Sequence, residues 1–303
     1  MDVLSLFDGI SCGMVAAERA GLKIDNYYAY EIDQNAIKIS KKNYPNIVRC
    51  GDVITEDFTK YKGIYLIIGG SPCQSLSITT GANRTNLDGK SRLFFEFARA
   101  LKESCPKYFL FENVASMNEE SKHIISECLG CEPVYINSEN FSAQSRPRLY
   151  WTNIPLNNEI NICSDVLKDI LENSVDEKYF YNCGYDFYGE DKHVAATLDV
   201  NTHEMLKRVY SKNFKCPTLT CVHGGYQQKK VYINGRCRKL TPVEYERLQT
   251  LPDNYTAGVS DTARYTAVGN GWTVDVIAYI LKNIADNSWY FISLWYNIFK
   301  EGD

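Results

Sequence analysis

Short apolar runs alternate with helix-patterned segments through the first half of the chain, and this rhythm restricts the fold more than any other feature of the 303 residues. Val3–Phe7, Tyr27–Tyr30, Ile64–Ile68, Tyr108–Phe111, Val134–Ile136 and Leu149–Trp151 read as strands, and Gly13–Ala20, Gln34–Asn43 and Arg92–Glu103 read as helices. Strands separated by helices predict a parallel sheet with helices on both faces, an α/β architecture. Near Pro155 the rhythm fails. Asn157–Arg236 is polar, aromatic and weakly periodic, with clusters such as Tyr179-Phe180-Tyr181 and His223-Gly224-Gly225, and reads as a second, irregular domain. Regular structure returns at Thr241-Pro242-Val243-Glu244, where Thr caps a helix, Pro suits its first turn and Glu reaches back to the cap. That helix is expected to run to about Gln249. A further amphipathic pattern, Trp272–Ile284, is expected to return to the sheet and make the large domain discontinuous. The expected boundaries are 1–155, 156–237 and 238–303.

With 45% hydrophobic residues the chain can fill a sizeable core, and its formal charge of −4 argues against indiscriminate binding to polyanions while leaving room for a local basic face. Eleven cysteines, an odd number without the spacing of a disulfide framework, together with an N-terminus lacking a basic segment ahead of a long apolar core, point to a reducing, cytoplasmic setting. The apolar tail Trp289–Phe299 carries polar residues and falls short of the roughly 20 apolar residues of a membrane span. It is expected to pack on the body or on a second copy, so oligomeric state stays open. Cys128-Leu129-Gly130-Cys131 and Cys216–His223 invite a zinc reading, but no second close Cys-x-x-Cys pair accompanies them, and no metal is expected.

The chemistry-bearing residues cluster at strand ends, where open α/β sheets bind ligands. Gly69-Gly70-Ser71-Pro72-Cys73-Gln74 follows one apolar run, and Pro72 stiffens the loop presenting the Cys73 thiol. Cys73 is a candidate nucleophile, and one more small buried thiol is the competing reading. Phe111-Glu112-Asn113-Val114 and Ser142–Arg148 bring a carboxyl and guanidinium groups to the same edge, where Glu112 and Arg148 form either a catalytic pair or an ordinary salt bridge. After the first strand, Phe7-Asp8-Gly9-Ile10-Ser11-Cys12-Gly13 is a nucleotide-type loop without the G-x-G-x-x-G of a pyrophosphate binder. The Asp8 carboxylate suits a cationic ligand such as S-adenosylmethionine. Glu31 stands where doubly wound folds place the ribose-binding carboxylate, and Asp52 is an acceptor suited to an adenine amino group.

Gly-Ser-Pro-Cys-Gln, Glu-Asn-Val, Gln-x-Arg-x-Arg and Gly269-Asn270-Gly271, in this order, resemble the DNA (cytosine-5)-methyltransferase family over about residues 1–155 and 238–285. Leu4–Ile10, Arg92–Phe97 and Leu110–Val114 are similar to the animal de novo DNA methyltransferases, whereas Gln74 and Gln144 look more like the bacterial and phage enzymes. The resemblance implies a class I methyltransferase (Rossmann-like) mixed sheet with helices on both faces, plus a small irregular target-recognition domain. It implies that Cys73 adds to carbon 6 of cytosine, that Glu112 supports N3, that Arg148 contacts the base and that Arg146 holds the loop or a phosphate. Phe7, Asp8, Gly9, Glu31 and Ile32 are implied to line the S-adenosylmethionine site. Asp52, Val53, Pro72, Asn270 and Trp272 are implied to complete it. The implied partner is double-stranded DNA, with a cognate restriction endonuclease possible for a bacterial or phage-encoded enzyme.

Ser75–Lys90 is expected to close over DNA after the target base flips, with Arg84 and Lys90 near phosphate, against the plainer reading of a connecting loop. Pro217-Thr218-Leu219-Thr220 resembles a family element of the recognition domain, and Gln227-Gln228-Lys229-Lys230 offers groups suited to bases and phosphates. A tRNA cytosine methyltransferase is the close alternative, although its Cys-Phe-Thr tripeptide is missing. An inactive accessory homologue is disfavoured because Cys73, Glu112, Arg148, Asp8 and Asn270 are all present, and a nicotinamide oxidoreductase is disfavoured by the first loop.

Overall fold

The computed structural model describes residues 1–72, 92–156 and 159–286, so Cys73, the Ser75–Lys90 loop with Arg84 and Lys90, and the aromatic tail lie outside the described residues. Strands β1 (Asp2–Leu6), β2 (Asn26–Tyr30), β3 (Val48–Gly51), β4 (Leu66–Gly69), β5 (Tyr108–Val114), β6 (Val134–Asn137) and β8 (Pro147–Thr152) form a seven-stranded sheet in the order β3-β2-β1-β4-β5-β8-β6. All run parallel except β8, which is antiparallel to both β5 and β6. The alternation of strands and helices cannot reveal this reversal. Between β6 and β8 lie a single 3-10 turn and the two-residue strand β7 (Gln144–Ser145), with no crossover helix, and without a crossover neighbouring strands pair antiparallel.

Side chains alternate across this sheet into two cores. Val3, Leu66, Ile68, Tyr108, Leu110 and Tyr150 face one cluster, and Leu4, Leu6, Ile67, Phe109, Phe111 and Trp151 face the other. The first is closed by α1 (Cys12–Arg19) and α9 (Val274–Asp286), whose packing against each other brings the end of the described chain back onto its beginning. The second is closed by α3 (Phe94–Ser104) and α4 (Glu119–Leu129) through Phe94, Phe97, Ile125 and Leu129. Helix α2 (Gln34–Asn43) starts at Asp33, whose carboxylate accepts from the Asn35 and Ala36 amides, and adds Ala36 and Ile39 to the first core.

The weakly periodic stretch carries helices α5 (Leu167–Ile170) and α6 (Glu204–Lys207) and strands β9 (Tyr185–Phe187), β10 (Val194–Leu198), β11 (Arg208–Ser211) and β12 (Cys216–Pro217). With β13 (Lys230–Ile233) and β14 (Arg236–Lys239), strands β9 to β11 build a five-stranded sheet in the order β14-β13-β11-β10-β9. Strands this short hold too few residues for a period of two to stand out. Strand β12 stands apart from that sheet and pairs with β7 in a two-stranded one, where the Thr218 hydroxyl donates to Ser145 O. Helix α7 (Pro242–Leu248) begins with the capping box that Thr241 and Glu244 predict, and α8 (Asp261–Asn270) leads to the turn before α9. Among the described residues no helix is long and apolar enough to cross a membrane.

Candidate active site

Glu112 extends the Tyr108–Leu110 face of β5, so its side chain emerges on the side covered by α1 and α9. The antiparallel register sets Glu112 opposite Tyr150 and Val114 opposite Arg148, which makes Arg148 the diagonal neighbour of Glu112 on the same face. The Arg148 Nε lies 2.7 Å from Glu112 Oε1, and both side chains retain 12% of their exposure. The other oxygen, Oε2, accepts from the indole Nε1 of Trp272 at 3.1 Å. Gly70 closes this cluster, because a Cβ there would stand 2.9 Å from Glu112 Oε2 and 3.1 Å from Trp272 Nε1. The buried Ser71 hydroxyl accepts from Asn113 Nδ2 at 3.4 Å, which leads the chain past half-buried Pro72 toward Cys73.

Arg146 does not face solvent. It is 5% exposed, and its guanidinium donates to the carbonyls of Leu219, Gly269 and Gly271 at 2.8, 3.0 and 3.0 Å. Gln144 works beside it: the side-chain amide donates to Leu248 O and Gln249 Oε1 and accepts from the Leu219 amide, while Gln249 donates to Val268 O and Gly271 O. These buried amides fix the turn that carries Asn270 and Trp272. Asn270 is exposed, and its Oδ1 accepts from the Cys221 thiol at 2.7 Å.

At the ends of β1, β2 and β3 the predicted cofactor residues fall on one edge. Phe7 and Gly9 both take φ of 58°, and Ser11 takes 63°, left-handed conformations that two of these residues adopt against their side-chain preference. The Asp8 carboxylate holds the loop in that shape by accepting from the hydroxyls of Ser5, Ser11 and Tyr27. Burial pushes the Asp8 carboxyl above its ordinary value, with the Ser11, Ser5 and Tyr27 hydroxyls pulling the other way. Glu31 ties the first two loops together through the amides of Gly9, Ile32 and Asp33, each at 2.8 Å. Asp52 is exposed and accepts from the Ile54 amide at 3.1 Å. Val53 points into the core at 4% exposure, whereas Ile32 and Ile54 are 66% and 58% exposed. The exposed apolar side chain beside Asp52 is therefore Ile54, whereas the resemblance names Val53.

The chain matches the family described as C-5 cytosine-specific DNA methylase over residues 1–286. It belongs to that family. As a family member it is a DNA (cytosine-5)-methyltransferase, and the family implies S-adenosylmethionine as methyl donor. The type II methyltransferase M.Eco47II of Escherichia coli is 29% identical, across 93% of this chain and 78% of its own length. The type II methyltransferase M.HhaI of Haemophilus parahaemolyticus is 24% identical, across 94% of both chains. Among solved structures, the Entamoeba histolytica methyltransferase EhMeth superposes with a TM-score of 0.70 at 18% identity, covering 94% of this chain and 98% of its own. The Dnmt2 methyltransferase of S. pombe gives the same TM-score, identity and coverage. These structural likenesses establish the Rossmann-like methyltransferase fold.

Sequence reasoning missed the hydroxyls of Ser5, Ser11 and Tyr27, and also Ile54 and Gly70. Ser5 and Ser11 sit three residues on either side of Asp8, a spacing that is a signal only once the loop's left-handed turn is known.

Proposed function

We propose that this DNA methylase uses Cys73 as the nucleophile that adds to carbon 6 of a flipped cytosine, with Glu112 and Arg148 activating the ring. The observation that carries the reading is the meeting of Glu112, Arg148 and Trp272 on the sheet face beside Gly70, three residues before Cys73. Cytosine is a weak electrophile at carbon 6, and a carboxyl that donates its proton to N3 withdraws electrons from the ring as the thiolate adds. Arg148 orients that carboxyl and takes the exocyclic oxygen of the base. Carbon 5 becomes nucleophilic and accepts the methyl group. A water molecule takes the carbon 5 proton, the electrons re-form the 5,6 double bond as the bond to the Cys73 sulfur breaks, and N3 returns its proton to Glu112, which frees the enzyme.

The donor-side residues fit S-adenosylmethionine. Exposed Ile32 and Ile54 offer apolar flanks to a planar base, Glu31 and Asp52 offer acceptors for ribose and amino groups, and the positive-φ backbone at Phe7 and Gly9 allows close approach. When bound, this donor supplies an electrophilic methyl group on a sulfonium. Asp8 and Glu31 hold the surrounding loops in place. We further propose that residues 156–237 recognise the target in double-stranded DNA, and that the enzyme works in a bacterial or phage-infected cytoplasm. A cognate restriction endonuclease is the proposed counterpart, on the support that relatives such as M.Eco47II are named type II methyltransferases.

The test is methyl transfer from labelled S-adenosylmethionine to unmodified duplex DNA and to tRNA, by wild type and Cys73→Ser, with bisulfite mapping of the product. Labelled cytosines in a fixed DNA context, lost in the mutant, are the expected result. Transfer that survives Cys73→Ser contradicts the covalent step, and transfer to tRNA alone contradicts the substrate.

A further inference from the structure

The turn ahead of α9 carries Trp272, which the resemblance assigns to the cofactor site, yet its one polar atom is directed at Glu112 Oε2, 3.1 Å away. An indole N–H is a donor only, with one direction, and it meets the single Glu112 oxygen that Arg148 does not hold. The surroundings are shaped for this contact. Gly70 lies where any side chain would enter between the two groups, its Cβ position being 2.9 Å from the carboxylate and 3.1 Å from the indole nitrogen. The indole ring lies in ordinary contact range of Gly13, whose Cβ position is 3.5 Å from Trp272 Cζ3. The turn itself is pinned by Arg146 and Gln249, which both donate to Gly271 O, and Thr273 donates to Gln249 Oε1 at 2.7 Å. A side chain that merely filled space would require neither the orientation nor the glycine at position 70.

We infer that Trp272 is a positioning residue for Glu112: its indole N–H fixes the second carboxyl oxygen, so that Arg148 and Trp272 together set the plane in which the carboxyl meets cytosine N3. The inference rests on the functional reading above. It assigns Trp272 to the base side of the reaction, with an effect on the chemical step and not on donor affinity. A carboxyl held by Arg148 alone rotates about that contact, and misplacement of a proton donor by a fraction of its hydrogen-bond length lowers the rate without touching binding.

The experiment uses Trp272→Phe, which keeps an aromatic ring and removes the N–H, and Gly70→Ala, which drives a methyl group into the contact. For each, S-adenosylmethionine binding is measured by calorimetry. Single-turnover methyl transfer is measured at saturating donor on DNA from a host without cytosine methylation. The expected result for Trp272→Phe is transfer slowed roughly 10- to 100-fold with donor affinity within about twofold of wild type. Gly70→Ala is expected to show the same split, and it decides the matter if Trp272→Phe fails to fold. Weakened donor binding with an unchanged rate at saturation overturns the inference and returns Trp272 to the cofactor site. An unchanged rate and affinity in Trp272→Phe also overturns it. No transfer by the wild type overturns the functional reading itself, an outcome distinct from active wild type beside an unaffected variant.

Discussion

Two glutamate–arginine pairs in this protein share their chemistry and differ in everything around it. Glu244 and Arg238 are 0% and 1% exposed and meet through two parallel contacts of 2.6 and 2.7 Å. Glu244 also accepts from the amides of Thr241 and Glu172, so four donors surround its two oxygens. The pair joins β14, α7 and the Glu172 segment into one block, and a carboxylate enclosed in this way has no route to a substrate. Glu112 and Arg148 are 12% exposed and meet at 2.7 Å through Arg148 Nε and Glu112 Oε1, while Oε2 accepts from Trp272 Nε1. The two pairs differ in burial and in the number of donors around the carboxylate, not in residue types.

The largest expected effect breaks or sustains that contrast directly. Glu112→Gln keeps the size of the side chain but removes the proton donor, and methyl transfer should fall by roughly 10²- to 10⁴-fold. Urea unfolding of the same variant should stay within about 1 kcal/mol of wild type, the ordinary range for a partly exposed substitution. Glu244→Gln should do the reverse. It leaves Arg238 buried with an incomplete partner, and unfolding should become easier by about 3–5 kcal/mol. Normal stability in Glu244→Gln, or a large stability loss in Glu112→Gln, would collapse the distinction between the pairs.

Much of the half of this contrast proposed as catalytic is legible in the sequence, and little of the other half is. Glu112 and Arg148 are found because each flanks an apolar run that reads as a strand, Glu112 after Tyr108–Phe111 and Arg148 before Leu149–Trp151. The antiparallel turn of β8 that makes them diagonal neighbours is invisible, since a strand's direction leaves no mark on its composition. Thr241, Pro242 and Glu244 announce α7, but nothing in that signature tells that Glu244 also pairs with Arg238 across a chain reversal. Arg146 is recognisable by motif, yet its acceptors are carbonyls of residues 219, 269 and 271, and every residue carries a carbonyl. The donor of Trp272 is hidden for a related reason: its N–H has one direction, which only the folded turn supplies.

Two smaller effects sharpen the comparison. Thr241→Ala removes the side-chain oxygen that accepts from the Glu244 amide and should cost about 1 kcal/mol in urea unfolding, well below the loss from Glu244→Gln. A surface pair supplies the lower limit. Asp253 lies against Arg247 at 2.6 Å with 48% and 32% of their side chains exposed, and the Arg247 hydrogen bond holds its carboxyl below the usual range. A depressed carboxyl stabilises the fold above its unfolded pKa and loses that contribution as pH falls through the lowered folded value. The stability difference between wild type and Asp253→Asn should therefore be small at neutral pH and vanish in acid, as thermal unfolding across pH 2–7 would show.

The most direct test of the central claim is covalent capture on duplex DNA in which the target cytosine carries fluorine at carbon 5. Fluorine does not leave as a cation, so elimination of the thiolate stalls after methyl transfer and the adduct persists. Mass spectrometry of the digested complex should find the modified base on Cys73 in wild type, none in Cys73→Ser, and slower accumulation in Glu112→Gln. Methylation of ordinary cytosine with no adduct on the fluorinated site, or an adduct on another cysteine, would contradict the account.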